Sequence, residues 1–267
     1  MIPTHISYSQ WKTYTSCPRQ WYLSRLKGGE EKQSWYIPIG TVTHEAIEAR
    51  LKGEPFDTTK RFYELVEKQM RVEPDLSAWL AGGPEDAPIT HEKALQRAVE
   101  CIEKADDYLS DLDIWEVEYN ASWRLPGLEV DCKAFIDIIA EHKKKGPVIV
   151  DWKTGSTKPD NFQLETYAAL LRCNDSLPYT LEDFHGRYVM LAPQASNTRF
   201  VDLSEVDPAV VGLKYQLVYS RMKEKLYQAN AGFGCKFCFQ AENCLVNKGI
   251  TPRTEYYDRS SEDGFPF

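Results

Sequence analysis

Apolar positions recur along the chain with two periods. A spacing of three to four residues predicts helices. Ser7 and Ser9 are candidate N-caps ahead of Trp11 and Tyr14. After a break at Cys17-Pro18, the proline suits the first turn of a helix through Trp21, Tyr22, Leu23 and Leu26. Gly40-Thr41 opens a helix carrying His44, Ile47, Glu48 and Leu51, ending near Gly53; His44, Ile47 and Leu51 share a face, so His44 looks inward. Further helices are predicted over 58–73, 90–110, 162–171 and 208–229, with loops at Gly28-Gly29 and Gly82 to Pro88. Shorter apolar runs bounded by turn residues predict strands over 115–124 and 128–140, joined at Gly127, and over 187–191 and 199–203. Between them Val148-Ile149-Val150 runs from Gly146-Pro147 to Gly155 as a buried strand, with Lys143-Lys144-Lys145 as the solvated turn before it. This order predicts an α/β core with a helical flank.

Composition narrows the class. The 267 residues are 42% hydrophobic and 12% aromatic, which fits a folded protein and excludes wholesale disorder. No apolar run of about 18 residues predicts a membrane span, and the N-terminus lacks the pattern of a signal peptide, so an intracellular, cytoplasmic protein is expected. A net charge of −8 argues against wholesale nucleic-acid binding and confines any such surface to a local patch. Seven cysteines in such a chain are expected as metal ligands and buried thiols rather than disulfides.

The chemistry gathers at the central strand. Alternation along it turns Asp151 and Lys153 to one side, with Ile149 below them. Asp137 interrupts the apolar strand Phe135-Ile136-Asp137-Ile138-Ile139, 14 positions upstream and one hairpin away. Two buried carboxylates brought together need a cation, and oxygen ligands favour Mg²⁺ or Mn²⁺, to which His44 can add a nitrogen. Cys235-x2-Cys238-x5-Cys244 is a second metal signal, and Cys17 is the best candidate for a fourth ligand. Cys101, Cys132 and Cys173 read as ordinary buried thiols. Sequence physics leaves Zn²⁺ and an iron–sulfur cluster open.

These residues resemble a known family. Asp137 followed by Asp151-x-Lys153 is similar to the PD-(D/E)XK nuclease signature in its RecB-like form. Gly40-Thr41-x-x-His44-x3-Glu48 and Gln163-x3-Tyr167 are similar to two further motifs of that branch, and Ala134 stands where a glycine is usual. The resemblance implies a restriction-endonuclease-like core, a mixed central sheet flanked by helices. It implies a divalent metal held by His44, Asp137, Asp151 and the backbone carbonyl of Trp152. Lys153 would orient or deprotonate the attacking water, with Gln163 and Tyr167 steadying the site. The split cysteine set, Cys17 with Cys235, Cys238 and Cys244, resembles the iron–sulfur-stapled members, which include CRISPR adaptation exonucleases and the AddB-type nuclease domain. This implies a structural [4Fe–4S] cluster joining the two ends of a single nuclease domain over 1–247. The implied activity is exonucleolytic hydrolysis of single-stranded or frayed DNA ends, in replication, repair, recombination or spacer acquisition; the rival is a non-catalytic DNA-end-binding scaffold. Glu118 is expected as an exposed strand glutamate, its other reading being an upstream acid of the family. Trp11, Tyr14, Trp21, Tyr22, Trp35 and Tyr36 are candidates for base stacking against a core role, and Arg19, Arg25 and Lys27 for phosphate contact. The tail 248–267, ending Glu262-Asp263-Gly264-Phe265-Pro266-Phe267, is expected to be a disordered acidic end, its sharper reading being an acidic, aromatic tip that recruits a protein partner.

Overall fold

The computed structural model describes residues 2–28, 33–79, 89–155, 159–174, 176–179, 183–232, 234–235 and 238–244. The tail reading and the whole of the Gly82 to Pro88 loop lie outside them. The elements run β1 (His5–Ile6), α1 (Tyr8–Ser16), α2 (Pro18–Arg25), α3 (Tyr36–Lys52), α4 (Thr58–Met70), α5 (His91–Leu109), β2 (Leu112–Trp123), β3 (Asp131–His142), β4 (Gly146–Lys153), α6 (Phe162–Arg172), β5 (His185–Met190), β6 (Val201–Asp202) and α7 (Pro208–Lys223). The chain divides into two compact units, one of residues 1–32, 122–133 and 207–267, the other of 33–121 and 134–206.

The second unit carries the mixed sheet. β4 lies between an antiparallel β3 and a parallel β5, β6 runs antiparallel to β5, and β2 pairs with β3. Period-2 alternation splits the strands into two faces. One face, Ile138, Ala140, Val148, Val150, Trp152 and Val189, packs with Ile47 of α3 and Cys101 and Ala105 of α5. Against the other lies α6, with Leu164 so close to Gly186 that an added Cβ would stand 3.1 Å from its Cδ1. α3, α4 and α5 form a second core around Trp35, Val42, Phe62, Trp79 and Ala98. The sheet flanked by helices is the restriction-endonuclease-like arrangement that the motifs implied.

The first unit holds α1, α2 and α7, and β1 pairs in parallel with the first residues of β3. Side-chain caps fix the helix starts: Ser7 accepts from the Gln10 N–H at 3.3 Å, and Asp207 from the Ala209 N–H at 2.8 Å. Pro18 and Pro208 occupy first turns, where no N–H is needed. Several boundaries differ from the sequence reading. α3 begins at Tyr36 rather than Gly40. α7 ends at Lys223, short of residue 229, where Lys225 takes a left-handed φ of 57°. β6 has two residues rather than the five of 199–203.

Gly212 of α7 tests the packing of this unit. A Cβ there would stand 2.1 Å from the Pro126 carbonyl oxygen and 3.2 Å from Leu125 Cβ. Alanine is the better helix former by about 1 kcal/mol, yet the forced backbone shift costs about 1–3 kcal/mol beyond it. Gly212→Ala should therefore lower the melting temperature, by roughly 2–4 °C per kcal/mol. A thermal melt equal to that of the parent would show that the 125–126 segment yields freely.

Candidate metal and active site

The site is built where the strand ladder ends. The antiparallel register pairs Ile138 with Val150, so one rung further on Asp137 and Asp151 stand side by side. Asp137 is 8% exposed and Asp151 2%, and buried carboxylates of this kind are costly unless each oxygen has a partner. Asp137 Oδ2 accepts the Trp152 backbone N–H at 2.7 Å, taking over a donor at the end of the ladder. Its other oxygen, Oδ1, lies 3.4 Å from His44 Nδ1 on α3.

Asp151 carries a different set of partners. Its Oδ2 accepts from Gln163 Nε2 at 2.9 Å and from the Tyr167 hydroxyl at 3.0 Å, both on the α6 face where i,i+4 spacing places them together. Lys153 Nζ lies 2.5 Å from Asp151 Oδ1 and donates to Gln163 Oε1 at 3.1 Å. Among the described residues Oδ1 is thus held by the Lys153 ammonium, and Oδ2 by the donors of α6. Burial pushes the Asp151 carboxyl up, against the pull of Lys153. The same-side placement of Asp151 and Lys153 follows from strand alternation, as the sequence indicated.

Glu118 corrects the sequence reading. It is half-buried rather than exposed, and one carboxylate oxygen lies within 4.8 Å of ligand atoms of both His44 and Asp137, as those two do of each other. Its φ of 51° is left-handed. For a non-glycine residue inside β2 such a conformation costs about 1–3 kcal/mol. It breaks the alternation of the strand and re-aims the side chain, as bulged positions beside active sites do. Burial, reinforced by Asp137, raises the Glu118 carboxyl to about 7. Burial pulls the His44 imidazole down, but the charges of Asp137, Asp151 and Glu118 outweigh it and lift it to about 9. A position that holds a proton this firmly attracts any cation, and a metal bound there must displace that proton. Two carboxylates and one imidazole nitrogen within 4.8 Å of one another form a donor set that fits a hard divalent ion.

The first unit contains the second cluster. Cys17, Cys235, Cys238 and Cys244 line one cavity with Leu23, Ala229 and Ala241, and none of the four is in a disulfide. The Asn230 and Gly232 backbone N–H groups donate to the sulfurs of Cys17 and Cys235 at 3.4 and 3.5 Å. Burial raises the Cys238 thiol, and the charges of Cys17, Cys244 and Cys235 add to it. Among the described residues, the three-residue group with all ligand atoms within 4.8 Å of one another is His44, Glu118 and Asp137, and it includes no thiol. Cys101 and Cys132 are buried and Cys173 is partly exposed.

The candidate nucleic-acid contacts separate. Tyr14, Trp21 and Trp35 are core residues at 2%, 0% and 2% exposure. Tyr22 stacks on Tyr227 at 4.7 Å, and Trp11 on Tyr8 at 6.2 Å. Arg19 is buried, its guanidinium over the Tyr22 ring, and so is not a solvated phosphate contact; Lys27, two residues beyond α2, also lies over that ring. Among the described residues, no helix is long and apolar enough to cross a membrane.

Residues 5–244 match a family described as the PD-(D/E)XK nuclease superfamily. No curated protein matches the chain. The chain is similar to a solved structure described as "Crystal structure of SSO0001", at 13% identity and a TM-score of 0.44, over 92% of this chain and 88% of that one.

Proposed function

Because the chain belongs to the PD-(D/E)XK nuclease superfamily, we propose that it is a divalent-metal-dependent DNA exonuclease of the RecB-like branch, acting on single-stranded or frayed ends and stapled by a [4Fe–4S] cluster. The observation that carries the reading is the junction of two sets at one ladder end: His44, Glu118 and Asp137 on one side, and the Asp151, Lys153, Gln163 and Tyr167 network on the other. A DNA-binding scaffold has no use for a buried carboxylate held against a lysine beside a cluster of two acids and an imidazole.

In this reading His44, Glu118, Asp137, Asp151 and the Trp152 carbonyl hold Mg²⁺ or Mn²⁺. Such an ion lowers the pKa of a water and offsets phosphate charge. Lys153 orients the attacking water by a hydrogen bond donated from Nζ. Gln163 couples the two central side chains, receiving from Lys153 through Oε1 and donating to Asp151 through Nε2. The Tyr167 hydroxyl donates to Asp151 Oδ2 and keeps that carboxylate turned inward. The four thiols lining one cavity, with N–H donors aimed at two of the sulfurs, support the iron–sulfur reading that the split cysteine set implied.

The test is degradation of end-labelled single-stranded DNA by protein purified without oxygen. The expected result is loss of substrate only with Mg²⁺ or Mn²⁺, with mononucleotides or short oligonucleotides released from one labelled end. A folded, brown protein that leaves every substrate intact would instead establish the end-binding scaffold. Glu118 gives a sharper check on the ligand set. Glu118→Gln should raise the half-saturating Mn²⁺ concentration roughly 10- to 100-fold with the melt unchanged. An unchanged metal titration would remove Glu118 from the ligands.

A further inference from the structure

Building on the nuclease reading, we propose that the cavity formed by the loop after β5 seats the nucleotide next to the scissile phosphate, with Arg199 on that nucleotide's phosphate and Gln194 and Ser196 on its sugar or base. The cavity measures about 580 Å³ and is lined by Met190, Gln194, Ser196, Asn197, Thr198 and Arg199, with two alanines completing the wall. That volume is the size of a ligand cleft. The cavity lies in the second unit, as the metal and active site does.

Register decides where the loop leaves the sheet. β4 and β5 run parallel and pair Asp151 with Tyr188 and Lys153 with Met190. Lys153 is the last residue of β4 and Met190 of β5. The loop therefore starts on the rung that carries the lysine, one strand spacing of about 4.8 Å away. The Leu191 N–H donates to the Lys153 carbonyl at 2.8 Å, and Lys153 Nζ lies 5.4 Å from the centre of the Tyr188 ring. Ligands of open sheets sit outside the carboxyl ends of parallel strands. Here those ends carry the lysine on one strand and the cavity on the next.

The backbone of the loop is pinned. The Met190 N–H donates to Asn197 Oδ1 at 2.9 Å, and the Tyr188 N–H to Thr198 Oγ1 at 3.1 Å. Lys104 of α5 donates through Nζ to the Ala192 and Ala195 carbonyls at 2.9 and 2.6 Å. Gln194, Ser196 and Arg199 are exposed, and among the described residues their side chains have no hydrogen-bond or ion-pair partner. A pinned loop loses little freedom when a ligand takes up those three side chains. Charge selects the ligand. Residues 184–201 contain two arginines and no acid, in a chain of net charge −8. A guanidinium presents a fork of donors that matches phosphate oxygens, while an amide and a hydroxyl bond equally well to a sugar or to any base.

The experiment measures binding of a short fluorescent single-stranded DNA over a series of salt concentrations. It uses an Asp151→Asn background without divalent metal, so that no strand is cut, alongside cleavage by the protein with its active site intact. Arg199→Ala should weaken binding roughly 10-fold, with the melt unchanged. It should also flatten the slope of log affinity against log salt by about 0.7, the share of one single-strand phosphate. Arg199→Lys should keep the slope, and Gln194→Ala should weaken binding without altering it. One neutral methylphosphonate linkage, walked along the strand, should cost the parent about the same factor beside the cut bond and cost Arg199→Ala nothing further there. In the cleavage arm Arg199→Ala should raise KM and leave kcat unchanged. No binding by the parent, an unchanged salt slope, losses that simply add at every linkage, or coupling to a linkage remote from the cut would overturn the subsite. So would equal DNA binding by Arg199→Ala and parent with Arg199-dependent binding of a free deoxynucleoside monophosphate, which would make the cavity a mononucleotide pocket. Cleavage by the wild type without Arg199 coupling would sink the subsite alone. Arg199 coupling without any cleavage would keep a strand-binding site and sink the nuclease.

Discussion

Asp151→Asn will lose metal-dependent DNA degradation, on the order of 10³-fold or more, while the protein stays folded. The side chain is 2% exposed and sits between the Lys153 ammonium and two donors from α6. An amide of the same shape still accepts from the Tyr167 hydroxyl through its oxygen, so packing survives. What disappears is the charge that opposes Lys153 and attracts a cation. Asp151→Ala should be equally inactive but less stable, because it also leaves Gln163 and Tyr167 without their shared acceptor. Lys153→Ala separates the roles within the site. It should be as inactive as Asp151→Asn yet keep its affinity for Mn²⁺, measured by electron paramagnetic resonance of the free ion. Asp151→Asn and Asp137→Asn should lose that affinity. Normal Mn²⁺ binding by both carboxylate variants would place the ion elsewhere and dissolve the proposed ligand set.

The parts of this site that were legible in the sequence are those governed by a regular period. Asp151 and Lys153 are two apart on a strand, Gln163 and Tyr167 four apart on a helix, and both pairs converge as their spacing demands. Asp137 was readable because a hairpin-length turn separates it from Asp151, and the register then leaves them adjacent. Glu118 was read first as an exposed glutamate, with the upstream acid of the family as its other reading, because the left-handed residue at φ 51° breaks the alternation by which its side chain's direction would be inferred. The start of α3 was missed for a related reason: Gly40 read as a helix opener, whereas it sits mid-face where only a small residue fits against Thr154. The cysteine spacing predicted a shared set of thiol ligands for a metal. It did not say which, because that depends on how far apart the sulfurs are held in space.

Cys17→Ser tests the staple, and its effect should be on stability and colour. Cys17 precedes α2 as its N-cap, whereas the other three thiols lie more than 200 positions later, so a shared cluster closes a very long loop. In the chain-entropy account, closing a loop of even 100 residues removes about 4.7 kcal/mol of unfolded-state freedom, and a group bound only by the folded state adds its binding energy to folding. A loss of about 5 kcal/mol corresponds to roughly 10–20 °C in melting temperature for a domain of this size. The Asn230 side chain would still donate to the Ser16 carbonyl at 2.8 Å, the Arg19 N–H to the Gln228 carbonyl at 3.2 Å, and Tyr22 would still stack on Tyr227; hydrogen bonds of about 1 kcal/mol each offset only part of the loss. Cys173→Ser is the control and should keep the parent's colour and melt. The expected result is that wild type carries iron and acid-labile sulfide with visible absorbance, and that Cys17→Ser is colourless and melts early. A colourless wild type with one zinc per chain would replace the cluster by a zinc staple. A brown Cys17→Ser protein with unchanged iron and an unchanged melt would remove Cys17 from the ligand set altogether.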